Sequence, residues 1–502
     1  MSAALRIEGV AAPGSAVRIG RNVVFRLGAQ AASALVNVLG MVVLGRALAP
    51  AGYGDYVFYY ALIPLIASIG DMGVGVIVTR EMARDPREGA RLLGDGLAIK
   101  GMMAVALLVP TVAYALAHGS DLAPWALTGV AAAALLDFSQ DPGVWVARAH
   151  ERQEFEAILL LVSQLLWLAG IVACVRLHAG LPWLLGVAGG AFLLRLVVSL
   201  AFVTRRFHRP LFRPDLARWR SLIAQGAPVA LAMGGVALYG RIGILALKAL
   251  GSSTDVAYFN VAYMLSQPLG FVSTAITMAV FPAIARQAQG PDAGSPTALR
   301  GLVKCQLLGA LPLAVGQCVL SDRVIPLLFH GGDFAGAAAA LRIMSLGLPL
   351  VFLNLMSRYT LAALDRQRTY LYAVVVGLVT NVAISLLTIP RLGYSGAALA
   401  FLGTELAILL MCRRAMPEAM SWRALATVAI RPLAAAMGMG ALVWWARQWP
   451  LPLVVIGGAL VFGALLLGSG ALSAEERGVV RRVVGSFATA HGTGLAAARE
   501  ER

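Results

Sequence analysis

Long blocks of apolar residues, separated by short polar connections, dominate the chain. They lie near residues 22–45, 55–79, 93–117, 123–147, 155–177, 182–204, 221–247, 256–284, 301–321, 336–357, 370–389, 394–412, 424–446 and 451–470. A hydrocarbon layer about 30 Å thick is crossed by about 20 helical residues. A backbone in lipid must also satisfy its own hydrogen bonds, which a helix does. The pattern therefore predicts an all-α integral membrane protein with about 14 transmembrane helices. No connection is long enough for a separate soluble domain. A polar tail, 1–20, precedes the first block, and a basic tail, 471–502, follows the last. The first block carries Arg26 and Asn37 and shows no convincing cleavage site, so it reads as a retained helix rather than a signal peptide.

Composition agrees. Of 502 residues, 59% are hydrophobic and 13% charged, against about 25% charged in soluble domains. Four scattered cysteines, Cys174, Cys305, Cys318 and Cys412, indicate neither a disulfide framework nor a metal site, and no cofactor is called for. The net charge of +16 is explained by topology, because loops on the cytoplasmic side collect Lys and Arg. With a cytoplasmic N-terminus, the inner loops hold nineteen arginines, from Arg80, Arg84, Arg87 and Arg91 to Arg413, Arg414 and Arg423. The outer loops hold only Arg46, Arg176, Lys248, Arg323, Arg391 and Arg447. That bias predicts both termini in the cytoplasm. No basic groove interleaved with aromatics points to nucleic acid.

The chain also resembles itself. At an offset of 202, Arg46 falls on Lys248, Ala47 on Ala249, Leu48 on Leu250, Tyr56 on Tyr258 and Arg84 on Arg286. Further along, Arg152-Gln153 meets Arg366-Gln367 at offset 214. Block 1 corresponds to block 7, so the expectation is a parallel repeat. It gives two pseudo-symmetric six-helix bundles, 21–204 and 221–415, joined by a basic linker, 205–220. Helices 13 and 14 (424–470) lie outside the repeat. Such an arrangement suits alternating access.

Polar residues inside apolar blocks are candidate functional groups. Arg26, Gln30, Ser33 and Asn37 fall on one helical face, fit to line a cavity or to bond between helices. Arg195 and Arg241 lie deep, either as cavity cations or as partners of Asp71. Lys100 and Lys304 stand about two turns inside equivalent blocks, lining a cavity or snorkelling. Asp71 sits mid-block, where a carboxylate costs about 2.5–3.5 kcal/mol. It is expected to pair with an arginine or to carry a coupling ion. Asp137 and Asp141, i and i+4 on one face, precede Pro142, which is expected to kink the helix, as a hinge, an ion site or packing. In the repeat partner of this segment Asn354 falls on Gln140, and Glu405 is a lone acid.

Enzyme signals are poor, with no phosphate-binding glycine loop, no His cluster and no nucleophile elbow. The opening stretch "NVVFRLGAQAASALVNVLGMVVLGRALAPAGYGDYVFYYALIPLIASIGDMGVGVIVTREMAR" resembles bacterial polysaccharide flippases of the O-antigen translocase type. These belong to the multidrug/oligosaccharidyl-lipid/polysaccharide exporter superfamily. Arg46 in "GRALAP", the "GYGDY" turn, Asp71 in "DMG", and Arg80 and Arg84 in "TREMAR" carry the likeness. It returns at "AALDRQRTYLYAVVVGLVTNVAISLLTIPRLGYSGAALA".

The resemblance implies two bundles around a cationic cavity, moving an undecaprenyl-pyrophosphate-linked glycan from the inner to the outer leaflet of the bacterial inner membrane. Arg26, Arg195 and Arg241 would grip the phosphates. A proton or sodium gradient, membrane lipids and glycan-assembly enzymes such as a polymerase are the implied partners. Fourteen helices rather than twelve is a trait of the lipid II flippase branch, which leaves the glycan open. The rival readings are a multidrug antiporter of the same superfamily, whose cavity should be acidic and aromatic, and a polytopic glycan polymerase or ligase.

Overall fold

The computed structural model describes residues 13–117, 122–139, 142–150, 153–207, 209–278, 296–329, 332–416 and 420–470. These residues are almost entirely helical, with no strand among them. The first half contains α1 (Pro13–Ala47), α2 (Pro50–Gly70), α3 (Val74–Arg84), α4 (Gly89–Ala117), α5 (Leu122–Ser139), α6 (Pro142–Ala149), α7 (Gln153–Arg176) and α8 (Leu181–Arg206). The second half contains α9 (Leu216–Tyr239), α10 (Ile242–Leu250), α11 (Ser253–Ser266), α12 (270–278), α13 (Pro296–Leu328), α14 (Gly336–Ala363), α15 (Gln367–Leu392) and α16 (Tyr394–Ala415). Two more helices follow, α17 (Trp422–Trp445) and α18 (Leu451–Gly468).

Eleven helices among the described residues are long and apolar enough to cross a membrane. The remaining expected blocks are 55–79, 123–147 and 256–284. The first divides into α2 and α3; the second holds α5 and α6, with residues 140 and 141 between them outside the described set; the third runs through α11 and α12 to residues outside the described set. Block 221–247 is also divided, between α9 and α10. Local chemistry explains the breaks. Met72 and Gly73 take positive φ, 50° and 67°, between α2 and α3. Pro142 is the first described residue of α6, and the kink expected just before it falls on residues outside the described set.

Helices α1 to α8 pack mainly on one another, as do α10 to α16, while α17 and α18 lie against α13. The halves meet where α2 crosses α11 and where α9 lies on α2 and α3. The sequence offset of 202 sets α2 against α11, and these two helices are in contact. The outer surface is apolar: on α15, Val375, Val379, Leu386 and Leu387 are all exposed. Such a face is tolerable in hydrocarbon and not in water. The chain is a multi-pass membrane protein.

Candidate functional site: a polar cavity between the two bundles

A cavity of about 580 Å³ opens between the halves. Gln30, Ser33 and Asn37 of α1 form one wall, joined by Tyr60 and Pro64 of α2 and Gln164 of α7. Arg241, Asn260, Tyr263 and Gln267 form the other. The i, i+3, i+7 spacing of the α1 residues brings them to one face, as the sequence predicted. Among the described residues, Arg241 is the charged group on this lining. It occupies the break between α9 and α10 and immediately precedes α10, so its guanidinium and the positive end of that helix share one wall. Both favour an anion, and a guanidinium fork suits phosphate oxygens.

A second space, about 210 Å³, adjoins the first at Pro64 and is lined by Ser68, Asp71, Gly73, Asp137, Ala230 and Met233. Asp71 pairs here with Lys100, whose Nζ lies 2.9 Å from its Oδ1. The lysine side chain is 2% exposed and the aspartate 18%. Nζ also stands 4.5 Å from the centroid of the Trp145 ring. Lys100 thus ties the α2–α3 break to the first turn of α6. This corrects two expectations. The partner of Asp71 is a lysine two helices away, not Arg195 or Arg241. Nor does Lys100 snorkel or line the cavity; it lies behind the carboxylate it neutralises.

Arg195 is placed elsewhere. It lies in an apolar groove between α7 and α8, among Phe155, Ile158, Val162 and Val198, and does not line the central cavity. Its depth in the block misled, because depth does not say which way a helix face turns. Lys304 is half-buried on α13 and lines neither space. Arg26 falls within α1, but its side chain lies outside the described residues, as does Asp141 altogether. Tyr60, Gln164, Asn260 and Gln267 were not singled out from the sequence. A polar residue inside an apolar run was the available signal for each.

Contacts join the two halves at both ends of the interface. At the end bearing the arginine-rich loops, Gly73 lies against Gly226 of α9 so tightly that a Cβ on either would overlap backbone of the other segment. Around it, Arg218 reaches Asp95 (2.9 Å) and Glu88 (2.9 Å), and Trp219 Nε1 donates to Asp95 Oδ1 at 2.8 Å. Arg91 pairs with Asp215 at 3.0 Å, and Arg80 donates to Gln225 Oε1 at 2.8 Å. At the opposite end Asp55 accepts from Lys248 and Ser253, each at 2.6 Å, and Asn260 Nδ2 donates to the buried Tyr53 hydroxyl at 3.0 Å.

Comparison with known proteins places this architecture. Residues 19–287 match the polysaccharide biosynthesis protein family, and residues 166–460 match the lipid II flippase MurJ family. Among curated relatives, a probable lipid II flippase MurJ of Rhizobium meliloti (strain 1021) is 28% identical over 256 residues, 48% of this chain and 46% of that protein. A second, from Rhizobium tropici, is 26% identical over 38% of this chain and 36% of that protein. The chain thus spans less than half the length of the curated relatives it matches. The fold of lipid II flippase MurJ in an inward closed conformation superposes with a TM-score of 0.74 at 13% identity, covering 89% of this chain and 98% of that one. An inward-facing multidrug resistance MATE family transporter gives 0.62 at 17% identity, over 79% and 96%. Each of the two family matches spans more than half of the sequence, and together they show that the chain belongs to the lipid-linked oligosaccharide flippase family of the multidrug/oligosaccharidyl-lipid/polysaccharide exporter superfamily.

Proposed function

We propose that this protein moves a polyprenyl-pyrophosphate-linked oligosaccharide across the bacterial inner membrane, from the cytoplasmic to the outer leaflet. The observation that carries the reading is Arg241 at the break before α10, facing Gln30, Ser33 and Asn37 across a cavity shared by both halves. A pyrophosphate supplies the anion for the guanidinium. Sugar hydroxyls supply partners for the amides and the serine, and the lipid tail stays outside in the bilayer. Opening of the two ends in turn would expose the cavity to one leaflet at a time. Both termini face the cytoplasm in this reading, and the glycan is supplied and consumed by membrane-bound assembly enzymes. Asp71 serves as the counter-charge of Lys100 rather than as a coupling carboxylate.

The MurJ matches favour a peptidoglycan precursor as a second candidate for the glycan. A multidrug cation antiporter is disfavoured by the arginine on the cavity wall. The test is flipping of fluorescent lipid-linked glycans in proteoliposomes, with lipid II and an O-antigen-type precursor in separate arms. Arg241→Ala should abolish flipping while membrane insertion stays near normal, and Arg241→Lys should restore it only in part. Full activity of Arg241→Ala would end the phosphate-grip reading.

A further inference from the structure

The segment 205–220, which carries the chain from the first half into the second, holds six arginines and one acid, Asp215. It joins the ends of α8 and α9, both long and apolar enough to cross a membrane, on one side. It therefore runs along the membrane surface. Pro210 and Pro214 disfavour helix, and residues 209–215 lie in none. Arg205, Arg206, Arg209, Arg213 and Arg220 are all exposed. Among the described residues none of these five forms an ion pair. Asp215 is engaged by Arg91 and by the backbone N–H of Arg218. Between the arginines stand Leu211, Phe212 and Leu216, which are 43%, 60% and 75% exposed. Cations interleaved with apolar side chains fit a bilayer boundary, where guanidiniums reach lipid phosphates and apolar groups enter the acyl edge. Five like charges in so short a stretch also repel one another unless anions lie among them.

The segment is fixed at its middle. Leu211 donates its N–H to the Ala90 carbonyl of α4 at 2.8 Å. Gly94, one turn further along α4, admits the Leu211 backbone so closely that a Cβ there would overlap it. Arg91 and Asp95, on the same two turns of α4, hold Asp215 and Arg218. The stretch of α4 that carries the segment is thus the stretch that α9 grips at the arginine-rich end.

We infer that this segment is a binding site for anionic phospholipid headgroups of the adjacent leaflet, and that lipid bound there holds the arginine-rich end together. Headgroup phosphates relieve the repulsion among the arginines while Phe212 and Leu216 seat in the acyl boundary. That keeps Leu211 on Ala90 and Arg218 on Asp95. A zwitterionic headgroup brings its own cation to each phosphate and relieves less. In a bilayer of such lipid the segment lifts and the end opens more readily.

The experiment uses the full chain, with native cysteines replaced, in vesicles of phosphatidylcholine or of phosphatidylcholine mixed with phosphatidylglycerol. A fluorophore on Ala217→Cys reports the neighbouring lipid, by quenching with spin-labelled phosphatidylglycerol or an equal amount of spin-labelled phosphatidylcholine. In a separate variant, Asn37→Cys on the cavity wall reports opening, by its reaction with an impermeant thiol reagent added from the arginine-rich side. Phosphatidylglycerol should quench several-fold more than phosphatidylcholine, less so as salt rises. It should slow labelling of Asn37→Cys by about tenfold. Both effects should vanish in Arg205→Gln/Arg209→Gln/Arg213→Gln. Both should persist in Arg368→Gln/Arg414→Gln/Arg423→Gln, which removes as many exposed arginines from the second half. Equal quenching by the two lipids overturns the site. A response lost equally in both triple variants belongs to overall charge and overturns this segment as its seat. Preferential quenching with unchanged labelling overturns the hold on the arginine-rich end. Neither readout needs a transported glycan, so failure of the pyrophosphate reading would leave both untouched.

Discussion

Replacing Lys100 with Met isolates the value of the buried pair on which α2, α4 and α6 converge. Met keeps most of the aliphatic stem and packs adaptably, so the change removes charge more than volume. What is lost is the 2.9 Å pair with Asp71 and the cation–π contact at 4.5 Å to Trp145. Stranding one member of a buried ion pair costs about 3–5 kcal/mol. Asp71 is 18% exposed and borders the smaller space. Partial hydration therefore brings the expected loss to the low end, about 3 kcal/mol, with about 1–2 more for the cation–π contact. Asp71→Asn removes the 2.9 Å partner of a lysine that is 2% exposed and should cost about 3–5 kcal/mol. The double variant Asp71→Asn/Lys100→Met removes both members of this pair. It should be more stable than either single by about 2 kcal/mol, a coupling typical of contacting charges. Thermal unfolding of the purified chain in one detergent, at fixed pH and salt, measures all four. Additive losses would refute the pair. Loss of flipping in a stable double variant would give Asp71 a part in transport that a counter-charge lacks.

Other consequences are narrower. Gly73→Ala adds a methyl group where backbone from Gly226 already stands, at a residue with φ of 67°, so it should prevent closure of the arginine-rich end. Cross-linking across α3 and α9 should fall, with membrane insertion intact. Reporter fusions after residue 210 should report the cytoplasm and fusions after 249 the outside; the opposite pattern would invert the charge-based topology.

The hydrophobic blocks were legible because membrane crossing needs length and apolarity, and both are written locally. The α1 stripe was legible for a similar reason, since Gln30, Ser33 and Asn37 share a face by periodicity alone. Breaks were harder. Asp71-Met72-Gly73 lies inside an apolar block, and only contact with Gly226, 153 positions away, explains why the backbone turns there. Pairings were hardest. Asp71 had Arg195 and Arg241 as candidates, while its partner Lys100 was read as lining a cavity or snorkelling; choosing rightly needs the relative rotation of the helices. Glu405 was read as a lone acid because its partners, Tyr239 and Asn354, come from two other elements. Arg195 shows the converse error. Its face is turned to the α7–α8 groove and not to the central cavity.

The two ends differ in a way that should bias the transport cycle. At the arginine-rich end Asp95 is 1% exposed and is held by both Arg218 and Trp219. At the other, Asp55 and Lys248 have side chains 37% and 32% exposed. A buried, doubly bonded carboxylate loses about 3–5 kcal/mol of partner stabilisation when neutralised, whereas a half-exposed pair is worth about 1 kcal/mol or less. Asp95→Asn should therefore shift the conformational balance strongly toward opening at the arginine-rich end. Asp55→Asn should shift it weakly toward the opposite end, since a change in one state's energy moves populations by that difference and no more. The readout is labelling of Asn37→Cys, on the cavity wall, by a membrane-impermeant thiol reagent, in a background whose native cysteines are replaced. Label added to the arginine-rich side should react much faster in Asp95→Asn, and label added opposite should change only a few-fold in Asp55→Asn. If the Asp55 variant opens more than the Asp95 variant, or both open the same side, burial does not set the strength of these latches. The weight of closure would then fall on the Gly73–Gly226 contact and on the packing of Tyr53 instead.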